Sequence, residues 1–427
     1  ISSNTIITPS YGIRAYDCDY CSINENNINS GDGTTGPTYG ISADQSSEIK
    51  VLNNTMVAND HGIYVPSSFK ATIKQNRITG GLHYVGIDFT NSDSSIVTNN
   101  YVEKTVFAND YPYRYIINGD NSEGSKIISD TLLITNVNNS YHHYQYVLRC
   151  EWSTVDSNFI DVDLRGYQNW VIYDERNSNI RNNYIKTYSY VWGDREIIRT
   201  SNDQNNIYNV VENNTIEHDH RGDNRMFAIR AYNNTIIRNN TIQCDQLEWA
   251  IYVQNDCIVD SNTISGDFSS KVFEVQGDST IIRDNLVTNS GSGTGVYVDG
   301  ETYLWVYNND FFHTGSGRFL DSYASEVYVT GNLFEGVSGR GFYIHEQSSG
   351  QIYNNTLVSN SGDYGMYQSN QTSVPVYNNI FQGFTNGIYV ENTIANYNLA
   401  HNLLWDISEN LFEGSALPPL VGQMIDQ

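Results

Sequence analysis

The chain of 427 residues carries 48 acidic and 23 basic side chains, for a formal charge of −25 at pH 7. That balance excludes a nucleic-acid groove or an anionic membrane surface as partner, since both call for a basic face. Seven prolines, no Ser/Gly block and no apolar run near the ~20 residues that cross a bilayer give no sign of a linker or of membrane insertion.

The first element in chain order is "ISSNTII", and it sets a template: an apolar residue, two others, asparagine, one more, and a second apolar residue. The template recurs at Ile23/Asn26/Ile28, Val51/Asn54/Met56, Ile73/Asn76/Ile78 and Val97/Asn100/Val102. A variant with Thr131 in the polar slot follows, and then Asn158, Asn183 and Asn214. From Asn240 the metre is steady through Asn262, Asn285, Asn309, Asn332, Asn355, Asn379 and Asn402, at spacings of 22 to 24 residues. Asparagine fills sixteen of the seventeen slots. Ahead of most units lies a second short segment, Gly–apolar–x–apolar, as in "YGIRAY", "HGIYVP", "TGVYVD" and "NGIYVE". Its period-two alternation reads as strand, and no 3.6-residue apolar period persists long enough for a helix.

Strands repeating at this interval without helices predict an all-β solenoid of about seventeen coils, one per slot, running as a single continuous domain over residues 1–427. Each asparagine is expected at a sharp turn, where it tolerates the left-handed conformation. Its amide then bonds to the asparagines of the coils on either side, so that a ladder satisfies every buried member. The ladder is expected to include Asn183, Asn214, Asn240, Asn262, Asn285, Asn309, Asn332, Asn355 and Asn379, with Ile and Val flanking it inside. With its "N-x-I" coils and two strands framing each turn, the pattern resembles the right-handed parallel β-helix of the pectate-lyase-like superfamily over essentially the whole chain. The resemblance implies the fold. It does not choose a function, because that superfamily holds lyases, hydrolases, epimerases, adhesins and phage spikes alike.

The residue after each inward apolar position of the second strand should point outward. This column reads Arg14, Ser42, Tyr64 and Asp88, then Arg199, Arg230, Tyr252, Glu274, Tyr297, Asp321, Tyr343, Tyr367 and Tyr389. Tyrosines stacked at the ~4.8 Å strand spacing make a stripe suited to sugar rings or to a protein surface; the high strand propensity of tyrosine accounts for the same residues without a ligand. Residues 104–232 are expected to form irregular coils with long protruding loops, and residues 233–427 the most regular ones. Eleven of the 23 basic residues fall between Arg149 and Arg238, and His218, Asp219, His220, Arg221 and Asp223 share one loop. The candidate ligand-binding residues are therefore Arg199, His218, His220, Arg230, Tyr297, Tyr343, Tyr367 and Tyr389. "HDH" offers two imidazoles with no third ligand to name; calcium binding among the acidic loops stays open, but no loop shows a committed spacing, so no metal or other cofactor is assigned. "CDYC" has the spacing of a metal half-site without a second pair. The five cysteines read instead as interior or turn residues with one local bridge.

The Gly-His-Gly and Arg-x-Lys signatures of the superfamily's hydrolases are absent from the sequence. The run "REIIRT…VENNTI…FAIRAYNN" resembles the alginate- and chondroitin-lyase branch, whose lysine neutralises a uronate while an arginine assists. Arg230 stands where that lysine belongs, and Tyr252 and Val253 stand where the arginine motif belongs. With both signature residues replaced, the expectation is a non-catalytic adhesive, fibre-forming or carbohydrate-contacting protein, secreted or at the cell surface. Its expected partners are polysaccharide or neighbouring surface-protein subunits. Because the chain opens in mid-pattern, it is expected to be a segment of something longer. The alternative is a polysaccharide lyase acting on acidic glycans.

Overall fold

A computed structural model describes residues 1–8, 10–29, 37–106, 113–136, 144–164, 168–174, 176–189, 195–201, 208–220, 226–300, 303–324, 326–336, 338, 340–345, 348–369, 372, 374–391, 399–414 and 424–426. Among these residues every regular element is a strand. Among them no helix is long and apolar enough to cross a membrane. The chain divides into two compact units, Ile1–Met226 and Phe227–Gln427.

In the first unit each coil contributes three strands, and each pairs in parallel with its counterpart one coil on. Along the first face the inward residues are Ile23, Val51, Ile73, Val97, Ile127, Val155, Ile180 and Val211, in register from strand to strand. Along the second they run Ile28, Met56, Ile78, Val102, Leu132, Ile160, Ile185 and Ile216. Along the third they run Ile13, Ile41, Ile63, Ile87, Ile117, Leu148, Ile172 and Ile198. These side chains are buried. Each contributes about 1.5–3 kcal/mol of apolar transfer, which makes the three aliphatic columns the main stabiliser of the unit.

The corner between the first and second faces explains the doubled asparagine. The residue just before each slot, not the slot itself, takes the left-handed conformation: Glu25, Asn53, Gln75, Asn99, Ser129, Ser157, Asn182 and Asn213 have φ of 55° to 58°. The expectation that the slot asparagine carries the strained turn is therefore corrected. The first residue of "NN" makes the turn, and the second makes the ladder. Asn54 is typical: its Nδ2 donates to Asn76 Oδ1 at 3.0 Å and to the Ile23 carbonyl at 3.0 Å, while its Oδ1 accepts from Asn26 Nδ2 at 2.9 Å. Thr131 is not in the slot. Asp130 is, accepting from the Asn100 backbone NH at 2.6 Å and from Asn100 Nδ2 at 2.9 Å.

The second unit repeats the corner and changes the filling. Its ladder runs from Asn240 through Asn262, Asn285, Asn309, Asn332, Asn355 and Asn379 to Asn402, with amide-to-amide bonds of 2.9–3.1 Å. Its second-face column begins Ile242, Ile264, Val287 and then becomes Phe311, Phe334, Leu357 and Phe381. Phe311 and Phe334 stack at 4.8 Å and 14°, so the expected aliphatic stack is partly aromatic here. Among the described residues the first face has eight strands in each unit. The solenoid has about 14 turns against the expected seventeen coils, and the opening asparagine slot, Asn4, has only an isolated Ser2–Asn24 bridge on that face.

Glycine at the head of a third-face strand has a local cause. A Cβ on Gly40 would lie 2.6 Å from the Gly62 carbonyl oxygen and 2.7 Å from Met56 Sδ. The coils whose second-face strands lead into long insertions carry Ile116, Val147, Val171 and Ile197 at the equivalent position, all buried. Those coils have interior room that the glycine coils lack.

Candidate functional site

The outward column of the third face is the one the alternation predicts. In the first unit it runs Arg14, Ser42, Tyr64, Asp88, Asn118, Arg149, Tyr173 and Arg199 in register. Asn118, Arg149 and Tyr173 fill the interval that sequence left blank, where insertions hide the strand. Arg199 is half-buried, donates from Nη1 to Glu196 Oε2 at 3.4 Å, and lies 5.3 Å over the Tyr173 ring. The same Glu196 oxygen accepts Trp170 Nε1 at 2.7 Å. Arg149 pairs with Asp120 at 3.2 Å.

His218 does not belong to this face. It lies on the second-face strand Thr215–His220, is buried, and has Nδ1 2.8 Å from Thr187 Oγ1. Two residues after the inward Ile216, it points inward as Ile216 does. The His220 side chain, Arg221 and Asp223 lie outside the described residues.

In the second unit the column runs Arg230, Tyr252, Glu274, Tyr297, Asp321, Tyr343, Tyr367, Tyr389 and Glu413. The Arg230 guanidinium lies 4.9 Å from the Phe227 ring, 5.2 Å from Tyr232 and 4.9 Å from Tyr252. Lys271 Nζ is 3.1 Å from Glu274 and 3.7 Å from the Tyr297 ring centre. Arg318 forms an ion pair with Asp321 and covers the Tyr343 ring at 4.1 Å. His345 Nε2 is 2.8 Å from the other Asp321 oxygen.

Tyr343 and Tyr367 stack at 4.4 Å and 2°, and Tyr367 and Tyr389 at 4.7 Å and 16°. The ring faces are therefore occupied by one another, and the outer end of the stack is covered by Arg318. What this stripe presents to solvent is ring edges and hydroxyls, not flat faces. Burial, aided by Asp299 and Tyr323, pushes the Tyr297 phenol up to about 12. Burial and the neighbouring Tyr343 likewise push Tyr367 up. These phenols stay protonated at neutral pH and so can serve as hydrogen-bond donors. A cleft of about 130 Å³ opens beside the stack, lined by Arg318, Arg340, Tyr343, Asp363, Tyr364 and Tyr367, with Gly341 and Phe342 at its floor. Arg340 reaches Asp363 at 3.9 Å, both half-exposed. Arg318, Arg340 and His345 escape sequence reading because pairing across coils leaves no mark in the repeat.

Two family models match the chain. Residues 249–404 match the family described as "Right handed beta helix region". Residues 1–122 match the family described as "Periplasmic copper-binding protein (NosD)". Together with the parallel coils, these matches are consistent with the resemblance to the pectate-lyase-like parallel β-helix superfamily. Comparison with curated proteins gives no match.

Copper belongs to the description of the second family, and this β-helix is a poor fit for it. Copper takes thiolate, thioether or imidazole ligands. Within residues 1–122, Cys18 and Cys21 form a disulfide. His61 lies between the rings of Tyr39 at 4.5 Å and Tyr84 at 5.3 Å, and His83 is the other histidine of that stretch. Among the described residues no three of His, Cys, Asp and Glu gather into a metal-holding group. No chemistry is assigned through copper.

Proposed function

We propose that this β-helix is a cell-envelope protein whose second unit holds a neutral glycan along its third face without cleaving it. The observation that carries the reading is the cleft beside Tyr343 and Tyr367. It offers two guanidinium groups, one carboxylate and three phenols, donors and acceptors together, as sugar hydroxyls require. The cations nearest the tyrosine stack are each paired with an anion: Lys271 with Glu274, Arg318 with Asp321, and Arg340 with Asp363, while Arg230, at the far end of the column, lies over aromatic rings. No net positive field remains for a uronate, and the formal charge of −25 repels a polyanion at long range. The envelope location is supported by the periplasmic description of the family matched by residues 1–122. Neighbouring surface-protein subunits are the other class of partner that such a stripe of edges and hydroxyls suits.

One observation favours the lyase alternative. His345 is held by Asp321 beside Arg318 and Tyr343, which is how a positioned base is built. The test is a panel of neutral and uronate-containing polysaccharides, read by retention on immobilised glycan and by absorbance of unsaturated product. Retention of neutral chains without product is the expected result. Unsaturated product, lost in His345→Ala, overturns the non-catalytic reading. Silence in both assays removes the glycan face and leaves the scaffold.

A further inference from the structure

A different feature concerns the ladder itself. Every rung does two things: its Oδ1 accepts from the preceding rung, and its Nδ2 donates. Asn158 shows the donor half, bonding to Asn183 Oδ1 at 2.9 Å and to the Ile127 carbonyl oxygen at 3.0 Å. Asp130 keeps the acceptor half through its Oδ1, and its backbone NH donates to Asn158 Oδ1 at 2.9 Å. Its Oδ2 takes the place of the amide nitrogen. By register the groups awaiting that atom are Asn158 Oδ1 and the carbonyl of Val97, the partner of Ile127, and both are acceptors. Asp130 is 1% exposed and its Oδ2 has no hydrogen-bond partner. A carboxylate there would set three acceptors against one another in a dry corner.

We propose that Asp130 is held as the uncharged acid, its Oδ2 hydroxyl donating where other rungs use their amide, and that loss of this proton breaks the ladder of the first unit. The rung is thus a pH-sensitive joint in an otherwise insensitive spine. Burial pushes the Asp130 carboxyl up to about 7, opposed only by the two hydrogen bonds from Asn100. No charged side chain contributes. The rungs on either side are the amides Asn100 and Asn158. Lys126 and Asp156 on the first-face strands point outward, as does Glu103 on the second face, and the buried Lys104 donates from Nζ to the Tyr84 carbonyl oxygen at 3.3 Å. The sign follows from proton uptake. The folded carboxyl titrates above the ordinary 3.8, so the contribution is full below about pH 4 and declines as pH rises through about 7.

The test compares the intact chain with Asp130→Asn, which restores the missing donor. Thermal midpoints are measured from pH 5 to pH 9, together with the infrared band of protonated carboxyl groups at pH 6. The expected result is a gap between variant and wild type that widens by several degrees across that range. A protonated-acid band should also be present in the wild type, diminish in Asp130→Asn and titrate near pH 7. Other titrating groups are shared by the two proteins and cancel in the difference. A gap constant with pH, or a carboxyl band unchanged by the substitution, overturns the proposal. Should Asp130→Asn fail to fold, Asp130→Ser serves the infrared arm, and the wild-type titration of the band near pH 7 still decides.

Discussion

The two units solve the same corner and fill it differently. The first carries a second polar ladder at the corner between its third and first faces. The backbone NH of Ser46 donates to Ser68 Oγ, that of Ser68 to Ser92 Oγ, and that of Ser92 to Ser122 Oγ, at 3.0–3.1 Å. Between Tyr232 and Ser349 the second unit turns this corner in two to four residues, with Asn255 and Asp256 or Gly277 at positive φ, and instead packs phenylalanine inside and stacks tyrosine outside. A coil with a longer corner exposes more backbone NH inside and needs side-chain acceptors. One with a tight corner has fewer such groups, and its metre is correspondingly strict. The regular unit is the one that carries the cleft, whereas the insertions, where sequence reasoning looked for function, lie in the other.

The sharpest way to break this comparison is to remove one amide rung from the second unit, where no serine ladder runs alongside among the described residues. In Asn285→Ala the Asn262 backbone NH and Nδ2 lose their acceptor, and Asn309 Oδ1 loses a donor. Several buried groups are orphaned at once, so the expected loss is about 4 kcal/mol in urea unfolding. A loss below about 1 kcal/mol would mean that the ladder is not what holds the corner. The glycine position separates tight coils from wide ones. Gly40→Ala forces a methyl against the Gly62 carbonyl and Met56, for about 2–3 kcal/mol. By contrast Ile116→Val, in a wide coil, should fall near 1 kcal/mol.

Much of this was legible in the residues themselves. The "NN" metre gave the coils, the corner and every asparagine rung, because a buried amide that must repeat leaves a periodic mark. The outward column was also legible, and Tyr297, Tyr343, Tyr367 and Tyr389 all lie on it. Asp130 was not, because a template looking for asparagine passes over its acid isostere and settles on the adjacent Thr131. The serine ladder was missed because serine is common in any turn, although Ser46, Ser68 and Ser92 stand one coil apart. His218 was misplaced because a charged run reads as a loop, whereas its spacing of two from Ile216 already sets it inward. The cross-coil pairs of Asp321 depend on side-chain reach, which no repeat encodes.

The acid limb of stability should belong to the first unit. Burial, with Lys104 adding, lowers His61 from 6.5 to about 4. The folded form is therefore neutral, and its stability is full above about pH 6.5 and lost as pH falls toward 4. The expected loss over that window is on the order of 3 kcal/mol. It should vanish from the pH profile in His61→Phe, which keeps a ring between Tyr39 and Tyr84. An unchanged acid limb in that variant would reassign it to carboxylates. A smaller effect tests the serine ladder. Ser92→Ala leaves the Ser68 NH without its acceptor, for about 1–2 kcal/mol by urea unfolding, well short of the amide rung.

The smallest expected effect on stability carries the largest on binding, and it decides which unit holds the ligand. Arg340 and Asp363 meet at 3.9 Å with side chains 54% and 49% exposed, so the pair is screened and Arg340→Ala should change unfolding by no more than about 0.5 kcal/mol. The guanidinium nevertheless lines the cleft, and its five N–H donors are among the few there that suit sugar hydroxyls. Retention on neutral glycan should fall about tenfold, the worth of one hydrogen bond to a charged group. Arg199→Ala in the first unit removes a guanidinium already held by Glu196 and the Tyr173 ring, and should leave retention unchanged. If the two variants behave the other way round, the glycan face belongs to the first unit, and the density of basic residues between Arg149 and Arg238 was the better guide to it.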